Sequence, residues 1–201
     1  MITVIDYGMG NLGSVVNMFH RIGHHATVSK DLAEIGDADK LLLPGVGAFD
    51  AAMKRINDSG LREVLDSKAN VDRVPILGIC LGMQLLTDKS EEGQLEGLGW
   101  IKGSAKKFPM MDGLKVPHMG WNLTLPASPS ALTRDLPQDA RFYFVHSYYV
   151  QADDRSHSIL RTQYGIDFDS GIGRDNIYGA QFHPEKSHKF GMSLLKNFAD
   201  L

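Results

Sequence analysis

The chain has 201 residues, 43% of them apolar and 22% charged, with 21 Lys and Arg against 24 Asp and Glu, which is the balance of a folded globular protein and excludes disordered, collagenous and disulfide-stapled classes. The formal charge is −3 and no cationic run exceeds Lys106-Lys107, so neither nucleic acid nor an anionic membrane is expected as a partner. The apolar stretches fall far short of the ~18 residues of a membrane span, and the start Met1-Ile2-Thr3-Val4-Ile5-Asp6 has no basic n-region, so a cytoplasmic address is expected.

In chain order, residues 2–6 read as a strand, 11–22 as a helix, 26–29 and 40–43 as strands, 46–69 as one or two helices broken near Ser59-Gly60, and 75–79 as a strand. Strand alternating with helix is the order of an open parallel sheet covered on both faces. The second half changes character: residues 101–108, 114–118, 122–125, 141–150 and 159–164 are strand-like runs at short spacing, which suits antiparallel hairpins. Residues 177–182 read as a last buried strand and 187–198 as a closing amphipathic helix, while the acidic, Gly-bearing stretch 87–99 reads as a mobile loop. The expected fold is α/β, an open, mostly parallel sheet flanked by helices on both faces with an antiparallel extension in the second half, and residues 1–201 form one domain.

Gly78-Ile79-Cys80-Leu81-Gly82 follows a predicted buried strand and precedes a helix start. That is the form of a nucleophile elbow, in which a sharp strand-to-helix turn lifts the central side chain into a cleft. Cys80 is the only cysteine, so it forms no internal disulfide. A lone cysteine is commonly a buried small hydrophobe; the glycines at elbow spacing set this one apart. A thiol nucleophile needs a base, and the base needs an orienting group. Gln181-Phe182-His183-Pro184-Glu185 supplies both if the segment is extended, because residues two apart then point the same way and Pro184 restrains His183 to extended dihedrals. Pro44-Gly45-Val46-Gly47 follows another predicted strand, and its main-chain N–H groups are candidates for holding an anion beside that of Leu81, with an ordinary strand-to-helix loop as the alternative. A competing pattern is Gly8-Met9-Gly10-Asn11-Leu12-Gly13 with Asp31 about 20 residues on, which fits a dinucleotide fingerprint but leaves the other three segments without a task.

Taken together these segments resemble the class I (triad) glutamine amidotransferases, whose G-x-C-x-G-x-Q elbow is matched by residues 78–84 and whose downstream H-x-E pair is matched by His183 and Glu185. Within that family, Tyr7-Gly8-Met9-Gly10-Asn11, Pro44-Gly45-Val46-Gly47, Pro117-His118-Met119-Gly120-Trp121-Asn122, Tyr143-Phe144-Val145-His146-Ser147-Tyr148 and residues 181–187 look like the glutaminase subunits of imidazole glycerol phosphate synthases of histidine biosynthesis. The likeness covers essentially the whole chain. Two departures stand out: Gly13, where a larger, often polar residue is expected, and Gly171-Ile172-Gly173, looser than the usual strand there.

The resemblance implies glutamine hydrolysis by a catalytic Cys80, His183 and Glu185. It implies oxyanion donors at Leu81 and around Gly45, Val46 and Gly47, and a substrate grip from Gln84 and the backbone near Ser147 and Tyr148. It implies no metal and no organic cofactor. The partner it implies is a (β/α)₈ cyclase, joined in a heterodimer, which uses the ammonia to make imidazole glycerol phosphate and an aminoimidazole carboxamide ribonucleotide. Asn11, Trp121, Tyr143 and Lys186 are expected at that interface, and the Gly45 to Gly47 turn is expected to flip when the loaded partner binds. The residues alone leave open a glutaminase subunit for a purine or pyridoxal phosphate synthase, a stand-alone cysteine hydrolase of γ-glutamyl compounds, and a nucleotide-binding module.

Overall fold

The computed structural model describes residues 1–201. Five short strands, β1 (Ile2–Ile5), β2 (Ala26–Ser29), β3 (Lys40–Leu43), β4 (Ile76–Ile79) and, from the far end of the chain, β13 (Ile177–Ala180), pair in parallel in the order β2-β1-β3-β4-β13. The near-continuous apolar runs of β1, β3 and β4 belong to strands buried on both faces. Successive side chains point to opposite sides, and the core divides accordingly. Ile5, Leu41, Leu43 and Ile76 pack with α3 (Phe49–Asp58) and α4 (Leu61–Asn70), whereas Val4, Leu42, Leu77 and Ile79 pack with α1 (Leu12–Arg21) and α6 (His188–Ala199). No helix is long and apolar enough to cross a membrane.

Beyond β13 the sheet turns antiparallel through β12 (Ile166–Arg174), β10 (Tyr148–Ala152) and β6 (Gly103–Lys107), and ends in the short β5 (Lys89–Ser90). β11 (Ser158–Tyr164) pairs with both β12 and β8 (Leu125–Pro126). β7 (His118–Leu123) and β9 (Arg141–His146) form a separate antiparallel ribbon. Two short helices, α2 (Leu32–Gly36) and α5 (Leu81–Leu85), complete the set.

Several sequence expectations need correction. Periodicity predicts no strand between residues 164 and 177, yet β12 is the longest in the protein and runs through Gly171-Ile172-Gly173. Its alternation is hidden by buried polar side chains that find partners across the sheet. Asp169 accepts from the Ala152 N–H at 2.8 Å and the Ser158 hydroxyl at 2.6 Å, and the Thr162 hydroxyl donates to that of Ser170 at 2.8 Å. The run 141–150 is two strands rather than one, because the chain leaves the ribbon at Ser147 and joins the main sheet. Of residues 114–118 only His118 is in a strand, and the run 122–125 is divided between β7 and β8. α2 escaped the apolar pattern because it is a single capped turn and a half; the Asp31 Oδ1 accepts from the N–H groups of Ala33 and Glu34.

The two glycine departures have opposite surroundings. Gly13 is exposed in the first turn of α1, with no atom within 4 Å of where a Cβ would sit, whereas a Cβ on Gly171 would lie 2.9 Å from that of Leu160, where β11 is irregular. Gly13→Ala is expected to stabilise the fold by about 0.5–1 kcal/mol through helix propensity, and Gly171→Ala to destabilise it by about 1–3 kcal/mol through overpacking. Urea unfolding midpoints moving up for the first and down for the second are the check.

Candidate active site

The sulfur is placed by backbone geometry. β4 ends opposite β13 with Ile79 facing Ala180, and the Cys80 N–H continues that ladder by donating to the Ala180 carbonyl at 2.7 Å. Cys80 then adopts φ 55°, ψ −110° before α5 begins, a conformation that costs a non-glycine residue on the order of 1–3 kcal/mol. The flanking glycines are required for close approach rather than for their own dihedrals. A Cβ on Gly82 would overlap the Leu43 carbonyl oxygen, and one on Gly78 would crowd the backbone of Gly82 and Met83. β3 and the start of α5 are therefore pressed together, and Cys80 takes up the strain of the turn.

His183 lies three residues past β13. Its N–H donates to the Tyr143 carbonyl at 2.9 Å, and its Nδ1 meets Glu185 Oε1 at 2.8 Å, with the two side chains 4% and 2% exposed. The expected extended His-Pro-Glu geometry is not what joins them. Residues Pro184–Lys186 form a single 3₁₀ turn, so Glu185 folds back on the ring, and Ser187 closes the turn by donating its hydroxyl to the His183 carbonyl at 2.6 Å. Burial alone lowers the His183 pKa, but the adjacent Cys80 and Glu185 side chains outweigh it and raise the ring to about 9. The ring therefore holds a proton at neutral pH. Nε2, on the side away from Glu185, makes no hydrogen bond although Cys80 is close enough to act on the ring, and Glu185 Oε2 is likewise unpartnered.

Cys80 and His183 open onto a cleft of about 360 Å³, with Glu185 buried behind the ring and outside the lining. Among the residues expected for oxyanion and substrate contact, Val46, Gly47, Leu81, Gln84, Ser147 and Tyr148 line it. Gly45 does not; its carbonyl accepts from the Leu81 N–H at 3.3 Å, so that donor is engaged within the protein and does not face the cleft free as expected. The Tyr148 carbonyl is also filled, by Gln84 Nε2 at 3.1 Å and His146 Nδ1 at 2.8 Å. Four lining residues were given no site role from sequence: Glu92, and Pro117, Val145 and His146, which lie in the runs that carry the resemblance. Glu92 comes from the stretch read as a mobile loop. The loop is tied down, because Glu92 Oε2 accepts from the Phe49 N–H at 2.9 Å and Asp50 accepts from the N–H groups of Gln94 and Leu95. A larger groove of about 790 Å³ beside Lys30, Lys54 and Arg55 contains none of these groups.

The glycines of the dinucleotide-like pattern have local tasks. Gly10 packs under Pro44, a Cβ there lying 3.1 Å from that of the proline, and Gly8 lies against Arg55, whose guanidinium donates to the Gly8 carbonyl at 2.8 Å. Tyr7 donates its hydroxyl to the Pro44 carbonyl at 2.6 Å, and burial, with Cys80 nearby, pushes its pKa upward. The segment thus braces the Pro44-Gly45-Val46-Gly47 turn. Of the residues expected at a partner surface, Trp121 is 45% exposed and meets Tyr143 edge to face at 6.2 Å, with Lys186 Nζ 5.8 Å from the Tyr143 ring. Asn11 is exposed and caps α1, accepting from the Ser14 N–H at 3.4 Å.

The site couples to stability through its histidines. Against an ordinary value near 6.5, folded His183 is raised to about 9, so the native state binds the extra proton and this stabilisation is lost as pH climbs from 6.5 through 9. Burial lowers His118 to about 4 and His146 to about 3, so the unfolded state takes up those protons first and stability is lost as pH falls below 6.5. Urea unfolding from pH 5 to 9 is expected to give a maximum near 6.5, with His183→Gln flattening the alkaline side; stability that climbs steadily from 6.5 to 9 contradicts the assignment.

Residues 3–201 match the family model described as glutamine amidotransferase class-I. The chain is 50% identical over 198 residues to the imidazole glycerol phosphate synthase subunit HisH 2 of Methanococcus maripaludis, covering 98% of each. It is 47% identical over 204 residues to the imidazole glycerol phosphate synthase subunit HisH of Bdellovibrio bacteriovorus, covering all of both. Among solved structures it is similar to a glutamine amidotransferase with a TM-score of 0.78 at 13% identity over the whole of both chains. It is also similar to PurLQS from Thermotoga maritima, with a TM-score of 0.74 at 17% identity over 99% of this chain and 97% of that one. The structural likenesses carry the fold alone, and with the full-length family match they lead to one conclusion: the chain belongs to the class I glutamine amidotransferases.

Proposed function

We propose that this chain is the glutaminase subunit of an imidazole glycerol phosphate synthase, hydrolysing glutamine and passing the ammonia to a (β/α)₈ cyclase partner with which it forms a heterodimer. The observation that carries the chemistry is the meeting of Cys80 and His183 in one cleft, with Glu185 bonded to the far side of the His183 ring. The full-length relatives at 47–50% identity support this synthase over those of the purine or pyridoxal phosphate pathways.

In this reading the Cys80 sulfur attacks the side-chain amide carbon of glutamine while His183 holds the proton of the pair. The C–N bond breaks, that proton leaves with the nitrogen as ammonia, and a γ-glutamyl thioester remains. Water then adds to the thioester with His183 as base, glutamate departs, and the sulfur and ring return to their starting state. Glu185 fixes the ring through Nδ1 and keeps Nε2 toward the sulfur. Each addition places negative charge on the amide oxygen, which needs backbone donors. The Leu81 N–H is one, but the Gly45 carbonyl holds it. Rotating the Gly45–Val46 peptide withdraws that carbonyl and presents the Val46 N–H in its place, at the cost of one hydrogen bond worth roughly 0.5–1.5 kcal/mol. Gly47, at φ 109°, gives the turn the freedom to move. Partner contact at Trp121, Tyr143, Lys186 and Asn11 would favour the rotated turn.

The isolated chain is expected to hydrolyse glutamine slowly, and the complex with its cyclase and nucleotide substrate much faster; full activity without a partner overturns the closed-turn reading. In the complex, Cys80→Ala is expected to lower glutamine-dependent synthesis by about a thousandfold or more while synthesis from added ammonium salt continues. Loss of both activities would assign Cys80 to folding instead.

A further inference from the structure

Beneath the cleft lies a buried chain of polar side chains that the chemistry above does not use. The His146 Nδ1 meets the Tyr148 carbonyl at 2.8 Å, and its Nε2 meets the His118 Nδ1 at 3.0 Å. The His118 Nε2 meets the Asn122 Nδ2 at 3.2 Å. Both rings are buried, and His118 is clamped between the rings of Phe144 and Tyr164 at 4.7 and 3.9 Å.

The proton positions follow from the two ends. A carbonyl only accepts, so His146 Nδ1 carries a proton and, in the neutral ring, Nε2 is the acceptor. His118 Nδ1 is then the donor and its Nε2 the next acceptor. At the far end the Asn122 amide is oriented independently: Oδ1 accepts from the Leu123 N–H at 2.8 Å, and Nδ2 donates to the Gln163 carbonyl at 2.9 Å as well as to His118. The two ends agree on one direction. An additional proton on either ring would set N–H against N–H.

The Tyr148 carbonyl joins this chain to the cleft. The Tyr148 oxygen, already accepting from His146, also accepts from Gln84 Nε2 at 3.1 Å. The same Gln84 nitrogen donates to Gln181 Oε1 at 3.3 Å, and Gln181 Nε2 faces the Cys80 sulfur at 3.9 Å. Both amide flips are thereby fixed, so that an N–H faces the sulfur and Gln84, a cleft residue, keeps its carbonyl oxygen uncommitted. We infer that His118 and Asn122, neither of which lines the cleft, are positioning residues: they lock His146 as its Nδ1–H tautomer, and the His146 N–H in turn holds in place the Tyr148 carbonyl, the acceptor that orients Gln84 and, beyond it, Gln181 beside Cys80. The inference rests on the glutaminase reading for its functional half. The uncommitted Gln84 oxygen then selects a donor on the substrate, such as an ammonium or amide N–H.

The test begins with the unaltered chain, labelled with ¹⁵N-histidine. Long-range ¹H–¹⁵N spectra at pH 7 are expected to give both rings as Nδ1–H tautomers; an Nε2–H tautomer or an imidazolium at either ring overturns the inference. Asn122→Asp places an acceptor opposite His118 Nε2 and is expected to pull a proton there, reverse the chain and convert one ring of the pair to imidazolium. In complex with the cyclase, this variant is expected to raise the KM for glutamine about tenfold or more with a smaller change in kcat. Ammonium-dependent synthesis by the same complex, which needs assembly but not the cleft, is the reference. Asn122→Leu removes the contact without reversing it, and is expected to leave both rings neutral and raise KM less than the Asp variant. Equal effects of the two variants with unchanged ring protonation would reduce Asn122 to a packing residue and overturn the inference. An unaltered complex that cannot use glutamine at all would instead overturn the glutaminase reading.

Discussion

Strands β4 and β13 come from opposite halves of the chain and lie side by side in parallel, with Ile79 opposite Ala180. Everything chemical in the molecule hangs on that pairing. It carries the ladder to the Cys80 N–H, and the chain reaches His183 three residues past the same point, so the sulfur and the imidazole leave the sheet at one edge. Closing so long a loop has an entropic cost that grows only slowly with its length, and apolar burial on both faces of the two strands offsets it. A slip of one residue in this register would turn the flanking side chains to the wrong face, and with them the elbow.

The same edge holds its charge in a confined space. His183 is a protonated ring between an acidic oxygen and a sulfur, and burial works against that charge while its two neighbours favour it. The adjacent His118 and His146 show the opposite balance, because they face one another and a carbonyl but no carboxylate, and burial leaves them neutral. Three histidines of ordinary intrinsic basicity are thus sorted by their surroundings into one whose proton is favoured and two neutral rings that hold the Tyr148 carbonyl. The sorting requires no residue type beyond imidazole, amide, one carboxylate and one thiol.

Much of this was legible in the amino-acid order, and the parts that were not have identifiable reasons. The parallel strands are apolar runs, the elbow is marked by glycines at fixed spacing, and His-Pro-Glu is a compact signature, so Cys80, His183 and Glu185 could be named together. The 3₁₀ turn that joins the last two was not legible, because Pro184 suits both an extended segment and the first position of a helical turn. β12 was hidden because it is buried on both faces and carries Asp169 and Ser170, one on each, whose partners lie on other strands. Glu92 gave no local signal, and His146, though inside the Tyr143 to Tyr148 run, was given no site role; their place in the cleft depends on which carbonyls and N–H groups the tertiary structure leaves within reach.

The glycine pattern that imitates a dinucleotide fingerprint shows how one local form serves different ends. Glycine-bearing turns follow β1, β3 and β4, and these are neighbours in the sheet, so all three turns open at the carboxyl edge where ligands of such sheets bind. The turn after β4 carries Cys80. The turn after β3 holds the Gly45 carbonyl against the Leu81 N–H. The turn after β1 lies beneath it, with Gly10 against Pro44 and Tyr7 bonded to the Pro44 carbonyl. What looks like a phosphate cradle in sequence is therefore the support of the neighbouring turn. Close approach excludes a Cβ at Gly45 and Gly82, which would meet the Tyr7 hydroxyl and the Leu43 carbonyl oxygen, whereas at Gly10 a tight contact with Pro44 adds to a φ of 108° that already favours glycine.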